Sequence, residues 1–474
     1  RLTRDSVRER EQLLHDGPGL IEAVDFLLAS YDGEHPGRLV YSAGLTVYDL
    51  LALRWSHRYY NAQDFKLLAG QLTQEGLEGG FRYGDAQTDD ARLVLRVIRE
   101  AVADGATAIN YTRAEELIRD GDSRVQGVRL HDRIGDRRAE VTAKVVINAT
   151  GAWADKLHPH TGEAEKIRPL RGSHLIFPAW KLPVAQAVSF LHPLDQRPVF
   201  ILPWEEVTLV GTTDEDHGDS LDEEPRITGQ ETAYLMAAVE ARYPSLGVTL
   251  DDVLSTYAGV RPVISSGKAD PSKESRDHII WKEDGFITVT GGKLTTFRLI
   301  AEDVLNEVRC EIVDLPDFDF DTAIFDPVGE LDPGSNMLSD AAARRLTGRY
   351  GSDADKLVAA AQVGELAEIA GTNILWAELR WAARSEGVVH LDDLLLRRVR
   401  LGLVAEEGGM AHLKKIRLIC QQELGWDDGR WAEEAAAYEQ LWERCYSLPS
   451  RSKIPDWHSW LENKDETAAV TVRK

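Results

Sequence analysis

Apolar residues recur at helical spacing along one stretch of the first third of the chain. Leu93, Val97 and Val102 fall on or near one helical face, and Asp89 stands where a helix would be capped. The pattern predicts a helix over residues 91–103, ended by a glycine and followed by a strand over 106–111. A helix followed at once by a strand is typical of the second half of a βαβ crossover.

Other segments have the pattern of strands. Val145 to Ile147 is a continuous apolar run, which favours a strand buried on both faces. Residues 115–143 alternate around two turns and predict a three-stranded antiparallel meander. Helices are predicted over 1–14 and 228–243, and further antiparallel strands over 173–177, 197–203 and 207–213.

The pattern changes after about residue 311, where prolines and aspartates mark a linker. The remainder is rich in helices, predicted over 339–350, 353–362, 374–384, 391–403 and 431–445. We therefore expect a separate helical domain over 326–449, followed by a polar tail over 450–474.

A strand-to-helix turn at Gly291-Gly292-Lys293 follows the β-branched segment 286–290 and precedes a helical segment. Glycines there let the backbone approach a ligand closely, and the first N–H groups of the helix point toward it. The pattern fits a cofactor-binding turn with Lys293 facing negative charge, and it fits an ordinary tight turn with a solvated lysine equally well.

The length, charge and cysteine content of the chain restrict its possible functions. A chain of 474 residues exceeds one core, so two or more domains are expected. The net charge of −24 argues against nucleic-acid binding, and an anionic substrate would need locally clustered arginines. The sequence has no long apolar run and no signal-peptide pattern, and its three cysteines are far apart, so we expect a reducing, cytoplasmic location without a metal site.

Several polar residues could meet at one site. Thr150-Gly151 ends a strand, where ligands of open α/β sheets bind, although a simple turn would look the same. His174 could act as a general base, but a single histidine is more often structural. Arg261 and Arg276 suit a phosphate or a carboxylate, and each taken alone fits a surface ion pair as well.

The motifs in this chain, taken in order, resemble those of one family: FAD-dependent glycerol-3-phosphate dehydrogenase, within the D-amino-acid-oxidase-like flavoprotein superfamily. They are Gly84 to Leu93, Asn148 to Trp153, Arg171 to His174, Pro203-Trp204, Gly211 to Asp214, Tyr257 to Pro262, Ser275 to Asp277 and Gly291 to Arg298. Ala377 to Arg380 and Asp392 to Arg398 are similar to the family's C-terminal helical cap. The resemblance extends to about Pro449.

The resemblance implies an α/β fold: an N-terminally incomplete, Rossmann-like FAD-binding domain, an inserted antiparallel β substrate domain and a C-terminal α-helical domain. It implies an oxidoreductase domain over 1–325, with FAD-binding segments at about 1–30, 81–165 and 255–310 and substrate-domain segments at about 31–80 and 166–254. The family's first strand, its Gly-x-Gly-x-x-Gly loop and a glycine-rich segment with an Arg-Tyr pair are not found here. We therefore expect that the sequence starts after this unit and holds FAD less tightly than a full-length protein.

The implied reaction is oxidation of sn-glycerol 3-phosphate to dihydroxyacetone phosphate, with hydride passing from C2 to flavin N5. Arg276 is then expected to bind the phosphate, and Arg261 and His174 to lie beside the C2 oxygen. Which of these two takes the proton stays open, since arginine is effectively always protonated. Lys293 is expected near flavin N1. The expected FAD contacts are Ala114 on the adenine side, Thr150, Gly151, Gly292, Lys293, Leu294 and Thr295.

The electron acceptor is expected to be quinone, with oxygen as the alternative. Quinone use would imply peripheral docking at the membrane through the segment 391–403 with Arg397, Arg398 and Arg400, although these arginines fit a solvated helix face as well. A homodimer is a further expectation. Two other functions remain: a related amine or amino-acid oxidase, which would bind a carboxylate, and a non-catalytic chain.

Overall fold

The computed structural model describes residues 2–34, 36–52, 55–157, 167–265, 277–312, 314–316, 318–320, 322–329, 331–332 and 338–462. Its helices are α1 (Leu2–Asp16), α2 (Arg38–Ala52), α3 (Ala62–Leu68), α4 (Asp90–Ala103), α5 (Ala154–Leu157), α6 (Gly229–Arg242), α7 (Phe297–Glu311), α8 (Asp340–Tyr350), α9 (Ala354–Ala360), α10 (Trp376–Ser385), α11 (Leu401–Val404), α12 (Leu413–Cys420), α13 (Asp428–Cys445) and α14 (Trp457–Glu462). Its strands are β1 (Ile21–Tyr31), β2 (Arg58–Asn61), β3 (Leu77–Thr88), β4 (Thr112–Arg119), β5 (Val125–Asp132), β6 (Arg137–Thr142), β7 (Val146–Asn148), β8 (Ile167–Pro178), β9 (Ala187–Leu191), β10 (Pro198–Trp204), β11 (Val207–Gly211), β12 (Glu215–Asp216), β13 (Ser255–Ile264), β14 (His278–Glu283) and β15 (Phe286–Gly291).

The largest sheet has the strand order β12-β8-β11-β10-β9-β1-β3-β2. β11 and β12 pair with different parts of the same edge of β8, and β13 pairs with its opposite edge. The predicted strands over 173–177, 197–203 and 207–213 are present in it and pair antiparallel. The sheet is not purely antiparallel, however, because β1 runs parallel to β9. Neither β1 nor β9 was predicted.

The two faces of this sheet have different environments, since neighbouring residues of a strand point to opposite faces. On one face Leu175, Val188 and Ile201 are buried in a core that includes Met236 and Ala237 of α6. The predicted helix over 228–243 is therefore present and covers this face, capped at its start by Thr228. We call this the α6 face. The opposite face packs against the C-terminal helical region at one end, and we call it the open face because α6 leaves it uncovered.

Two smaller sheets lie beside the large one. β7 pairs parallel with β15, which pairs antiparallel with β14. The predicted meander is confirmed as the antiparallel sheet β4-β5-β6. The apolar run that ends in β7 was expected to be buried on both faces, but Ile147 is 44% exposed.

The predicted strand over 106–111 is wrong, and with it the βαβ crossover. Residues 104–111 form no strand, and β3, which precedes α4, lies in the large sheet. The segment is held by contacts with the helical region instead. Asn110 donates to the Gly387 carbonyl at 2.7 Å, and the Tyr111 hydroxyl donates to the Asp393 carboxylate at 2.9 Å.

The helical region confirms four of the five predicted helices, as α8, α9, α10 and α13. The continuous helix over 391–403 is wrong. It is a π-helical segment, Asp393–Arg398, and the short α11, separated by Arg400 in a left-handed conformation with φ 61°. Leu394 and Leu395 are fully buried, and Arg400 pairs with Asp90. The leucines of this segment belong to the core, and docking of its arginines at a membrane stays a prediction.

Helix α4 joins the helical region to the rest of the molecule through buried charge. The predicted cap is confirmed, since Asp89 accepts hydrogen bonds from the first turn of α4. Arg92 is buried and pairs with Glu386 at 2.8 Å. The predicted apolar stripe is only partly buried: Leu93 is in the core, whereas Val102 is 41% exposed.

The strand pairings divide the chain differently from the predicted segments. Most of β1 lies in predicted segment 1–30 and most of β3 in 81–165, and β13 lies in 255–310, yet all three belong to the large sheet, with the strands of 166–254. The domain boundaries themselves stay predictions. In the part of the chain that the structure describes, no helix is long and apolar enough to cross a membrane.

Candidate active site

The turn after β7 is built around a buried asparagine. Asn148 donates to the Ala154 carbonyl at 2.9 Å, and its side-chain oxygen accepts the Thr150 hydroxyl at 2.7 Å. Gly151 follows with φ +59°, and a side chain added there would approach only Pro262, at 4.0 Å. The space in front of Gly151 is therefore open, as a ligand in contact with the backbone would require.

The second glycine turn follows β15, as predicted. Gly291 and Gly292 have φ +80° and +82°, a region that side chains disfavour, and an added Cβ on Gly292 would lie 2.5 Å from Ile300 of α7. Lys293 follows in extended conformation and has no carboxylate partner among the described residues. A short 3₁₀ turn, Leu294–Thr296, then leads into α7.

These two turns meet at the same end of the parallel pair β7 and β15. The Thr290 hydroxyl donates to the Gly151 carbonyl at 3.2 Å. The end of β13 packs between them, with Pro262 near Gly151 and Ile264 near Gly291. The structure thus brings together Gly151, the Gly291-Gly292 turn and the strand that carries Arg261, three segments far apart in sequence.

A cavity of about 350 Å³ lies beside the second turn. Lys293, Leu294 and Thr295 form one wall, and α1, α2 and the end of β3 form the others. Two buried oxygens in its lining, Ser6 Oγ and Gln87 Oε1, have no hydrogen-bond partner in the structure. Buried polar atoms are nearly always paired, so these two oxygens fit a ligand with polar groups.

A wider cleft of about 870 Å³ lies on the side of the first turn. Ala114 and Thr150, both predicted to contact the cofactor, line the same cleft. Trp153 and Lys156 also line it, and both donate hydrogen bonds to Asp222. Ala114 was predicted on the adenine side of FAD, and the fold places it in the same cleft as Thr150.

His174 lies on the open face of the large sheet, between β11 and β13. Its ring lies over Gly211, where an added Cβ would approach the ring to 2.1 Å, and it stacks on Tyr257 with centroids 4.6 Å apart. Its Nδ1 is buried and has no hydrogen-bond partner among the residues that the structure describes. Burial and the nearby Arg261 cation lower the pKa of His174 to about 3, so the ring is neutral near pH 7.

Arg261 lies on the same face, four residues along the strand pairing from His174. Its guanidinium lies against Gly172, where an added Cβ would come within 2.5 Å of Nη2. It donates to Thr212 and to Asp214, both at 3.3 Å. These contacts are long, and the side chain remains 40% exposed, so N–H groups are left for another acceptor.

Arg276, the predicted phosphate-binding residue, lies outside the described residues.

The structure adds residues that the sequence-based prediction omitted. Arg10 of α1 donates to the Tyr48 hydroxyl and to Asp85 at the wall of the cavity. Burial and the neighbouring Asp85 raise the pKa of Tyr48, so it stays a neutral donor. No local signal marks this trio, because its members come from α1, α2 and β3.

An aromatic surface on the open face connects the cavity to His174. Phe26 stacks on Tyr83 at 5.4 Å and meets Phe200 edge-on at 6.1 Å, and Tyr83 in turn contacts Tyr48. Phe200 is the cross-strand partner of Gly211, on which the His174 ring lies. Cross-strand partners share a face, so the aromatic rings and His174 line one continuous surface.

Comparisons with known proteins agree with this arrangement. Residues 1–304 match the model of the FAD dependent oxidoreductase family, and residues 300–431 match the C-terminal domain of alpha-glycerophosphate oxidase. The chain is 32% identical over 418 residues to the aerobic glycerol-3-phosphate dehydrogenase of Staphylococcus aureus (strain USA300), a match that covers 82% of this chain and 74% of that protein. This chain belongs to the FAD-dependent glycerol-3-phosphate dehydrogenase family.

Solved structures of the family have the same fold. The glycerol-3-phosphate dehydrogenase from Bacillus halodurans, complexed with FAD, aligns with a TM-score of 0.74 at 26% identity over 93% of this chain and 85% of that one. An L-alpha-glycerophosphate oxidase from Mycoplasma pneumoniae with FAD bound aligns at 0.50 and 15% identity over 69% and 84%, which shows a shared fold only. The predicted recognition, the α/β fold with its helical domain and the cofactor FAD are confirmed.

The residues present fit the family's cofactor. Gly151 has open space before it, and the turn at Gly292 could not carry a side chain. Two unpartnered oxygens and Lys293 face the neighbouring cavity. When FAD binds in this family, these turns would hold it mostly through backbone N–H groups, which is how the sequence-based prediction assigned them.

Proposed function

We propose that this member of the family oxidises sn-glycerol 3-phosphate to dihydroxyacetone phosphate on the open face of the large sheet. Bound FAD would supply the hydride acceptor, with C2 of the substrate delivering hydride to flavin N5. The observation that carries the proposal is the pairing of a neutral His174 with a half-exposed Arg261 beside two glycine turns. In a chain of net charge −24, such a cation marks a site for an anionic substrate.

The proton of the C2 hydroxyl has one suitable acceptor in this pair. Arg261 stays protonated at any ordinary pH, whereas His174 is neutral and can accept a proton. A negatively charged substrate would favour the protonated ring once bound and so raise its pKa in the complex. We assign proton removal to His174 and orientation of the C2 oxygen to Arg261.

Two cations complete the proposed site. Lys293 faces the cavity next to the glycine turn and would stabilise negative charge at the flavin N1 side. Arg276 stays the predicted phosphate ligand, because a planar guanidinium matches a phosphate with two parallel hydrogen bonds. Substituting Arg276→Ala should raise the KM for glycerol 3-phosphate and reduce discrimination against glycerol.

Flavin absorbance of the FAD-loaded protein under anaerobic conditions tests this function. Glycerol 3-phosphate should bleach the oxidised flavin band, while glycerol, glycine and D-amino acids should bleach it far more slowly. Bleaching by the amino compounds alone would favour an amine or amino-acid oxidase. A protein that carries flavin but is bleached by none of them would favour the non-catalytic function.

We further propose that quinone accepts the electrons at a membrane surface, with oxygen as the alternative. The supporting feature is α2, whose inner side places Tyr48 at the cavity wall and whose outer side is apolar. Leu39, Val47 and Leu50 are 84%, 56% and 62% exposed. An exposed apolar helix face of this kind suits the boundary of a lipid bilayer. Homodimer formation stays a prediction.

Sedimentation with phospholipid vesicles tests the α2 surface. The double substitution Leu39→Glu and Leu50→Glu should reduce vesicle binding, whereas Leu418→Glu, at a leucine 77% exposed on α12, should not. Equal binding by all three proteins would remove α2 from the proposed surface. Quinone and oxygen are then distinguished by supplying each as sole acceptor in steady state.

A further inference from the structure

Tyr257 is placed where it can control the position of His174. The two residues are cross-strand partners in β13 and β8, and their rings lie parallel within 10° with centroids 4.6 Å apart. On the other side of the imidazole lies Gly211, whose missing side chain leaves room for the ring. The imidazole therefore lies between the Tyr257 ring on one side and Gly211, a strand position without a side chain, on the other.

Hydrogen bonds do not fix this imidazole in the described structure. Its Nδ1 is buried and unpaired. His192 offers a contrast: it also stacks on a tyrosine, Tyr234, at 3.7 Å, but both of its nitrogens are engaged. Nε2 of His192 lies 2.8 Å from the Tyr234 carbonyl, and Nδ1 accepts the Leu194 N–H. Ring packing is therefore the main constraint on how His174 is oriented.

Tyr257 is itself supported by the helical region. Just before it, the Ser255 hydroxyl donates to the Leu403 carbonyl at 2.6 Å, and the Thr256 N–H donates to the Tyr446 carbonyl at 2.7 Å. The Tyr257 ring packs against the hydrophobic core of that region, which includes Leu403 and Tyr446. Its position therefore depends on residues more than a hundred positions later in the chain.

We infer that Tyr257 is a positioning residue for His174, through which the C-terminal helical region fixes the orientation of the imidazole on the open face. This inference rests on the proposed role of His174 as proton acceptor. The stack fixes the plane of the imidazole and so the directions in which its two nitrogens point. Loss of the stack would let the ring rotate, and an error of about 1 Å in such a group lowers rates by up to about 100-fold.

The test compares Tyr257→Phe, which keeps the ring, with Tyr257→Leu, which removes it. In FAD-loaded protein, Tyr257→Leu should lower kcat for glycerol 3-phosphate about 10- to 100-fold with little change in KM, and Tyr257→Phe should restore kcat. Nuclear magnetic resonance of ring-labelled histidine gives a second readout that needs no turnover. The chain has 13 histidines, so the His174 signal is assigned by its loss in His174→Gln.

The His174 signal should be displaced by the tyrosine ring current in the unaltered protein and in Tyr257→Phe, and should lose that displacement in Tyr257→Leu. Thr208→Ala is the matched control, since it removes a buried hydrogen bond to the Leu182 carbonyl from β11 of the same sheet without touching the stack or its support. It should leave both kcat and the His174 signal unchanged even if the protein becomes less stable.

The outcomes separate this inference from the proposed function. If His174→Gln reduces flavin bleaching but Tyr257→Leu changes neither kcat nor the His174 signal, Tyr257 has no positioning role. If Thr208→Ala lowers kcat as much as Tyr257→Leu, the effect is general destabilisation of the sheet and the inference is also wrong. If His174→Gln itself is fully active, the proposed role of His174 is what fails.

Discussion

The two faces of the large sheet carry the same kinds of residue with different partners. On the α6 face, Arg171 is buried and pairs with Glu231 at 2.9 Å, and beside α6 His192 has both ring nitrogens engaged. On the open face, Arg261 makes only long contacts and is 40% exposed, and Nδ1 of His174 is unpaired. The unpaired imidazole nitrogen and the loosely held guanidinium of the open face leave polar groups for a ligand, in agreement with the proposed site.

The first prediction concerns a substitution on the α6 face. Glu231 is buried and accepts hydrogen bonds from Arg171, Ser173 and Thr213, so Glu231→Ala leaves a buried cation unpaired. The free energy of unfolding should fall by about 3–5 kcal/mol, measured by urea denaturation. The activity of the molecules that remain folded should be unchanged. A stable but inactive variant would place Glu231 in the site.

The second prediction concerns a substitution on the open face. Arg261→Met should reduce kcat/KM for glycerol 3-phosphate about 10²- to 10³-fold, the usual cost of removing one oriented donor from a developing oxyanion. Its stability should change little because the guanidinium contacts are long and partly solvated. Arg129→Met is the control, an arginine also 40% exposed and ion-paired, but on the meander. Equal losses of activity in the two variants would contradict the assignment.

The third prediction separates backbone strain from cofactor contact. Gly151 and Gly247 have similar left-handed φ, +59° and +54°, and neither has a neighbour closer than 4.0 Å. Alanine at either position should cost about 1–2 kcal/mol of stability. Only Gly151→Ala should also weaken FAD binding, followed by the change in flavin fluorescence on titration. If both variants bind FAD equally well, Gly151 does not contact the cofactor.

The fourth and smallest effect concerns pH, where the two histidines should behave alike. Burial lowers the pKa of His174 to about 3 and that of His192 to about 4, below the value of about 6.5 for an unfolded chain. Below pH 6.5 the unfolded chain binds protons that the folded state does not, so stability falls as pH drops toward these values. Glutamine at either position should make this fall less steep in urea denaturation at pH 7, 6 and 5. An unaltered slope would show that the pKa of the ring is the same in the folded and unfolded states.

The sequence allowed prediction of features set by local signals. The helix over 228–243, the cap at Asp89 and the strands β8, β10 and β11 follow from short-range patterns, and the structure has them where they were expected. The strand β1 was missed because its identity depends on pairing with β3, more than fifty residues later, and with β9, further still. The segment 391–403 was misassigned because Arg400 breaks it to reach Asp90, three hundred residues upstream.

The residues of the candidate site also fall into those that the sequence indicates and those that only the fold brings together. Gly151, His174, Arg261 and Lys293 were found because they stand in motifs that resemble a known family. The trio of Arg10, Tyr48 and Asp85, and the support of His174 by Tyr257, arise only when distant strands and helices are brought together. Such contacts have no sequence period or spacing that could reveal them.

The most direct test of the account is the rate of flavin reduction by glycerol 3-phosphate in His174→Gln and His192→Gln, measured in a single anaerobic turnover of FAD-loaded protein. The two histidines have similar stacked surroundings and differ in which side of the sheet they occupy. The account predicts that His174→Gln slows reduction by about 10²-fold or more, the usual contribution of a positioned base, while His192→Gln leaves the rate per folded molecule unchanged. Equal rates in the two variants would contradict the assignment of the open face as the active site.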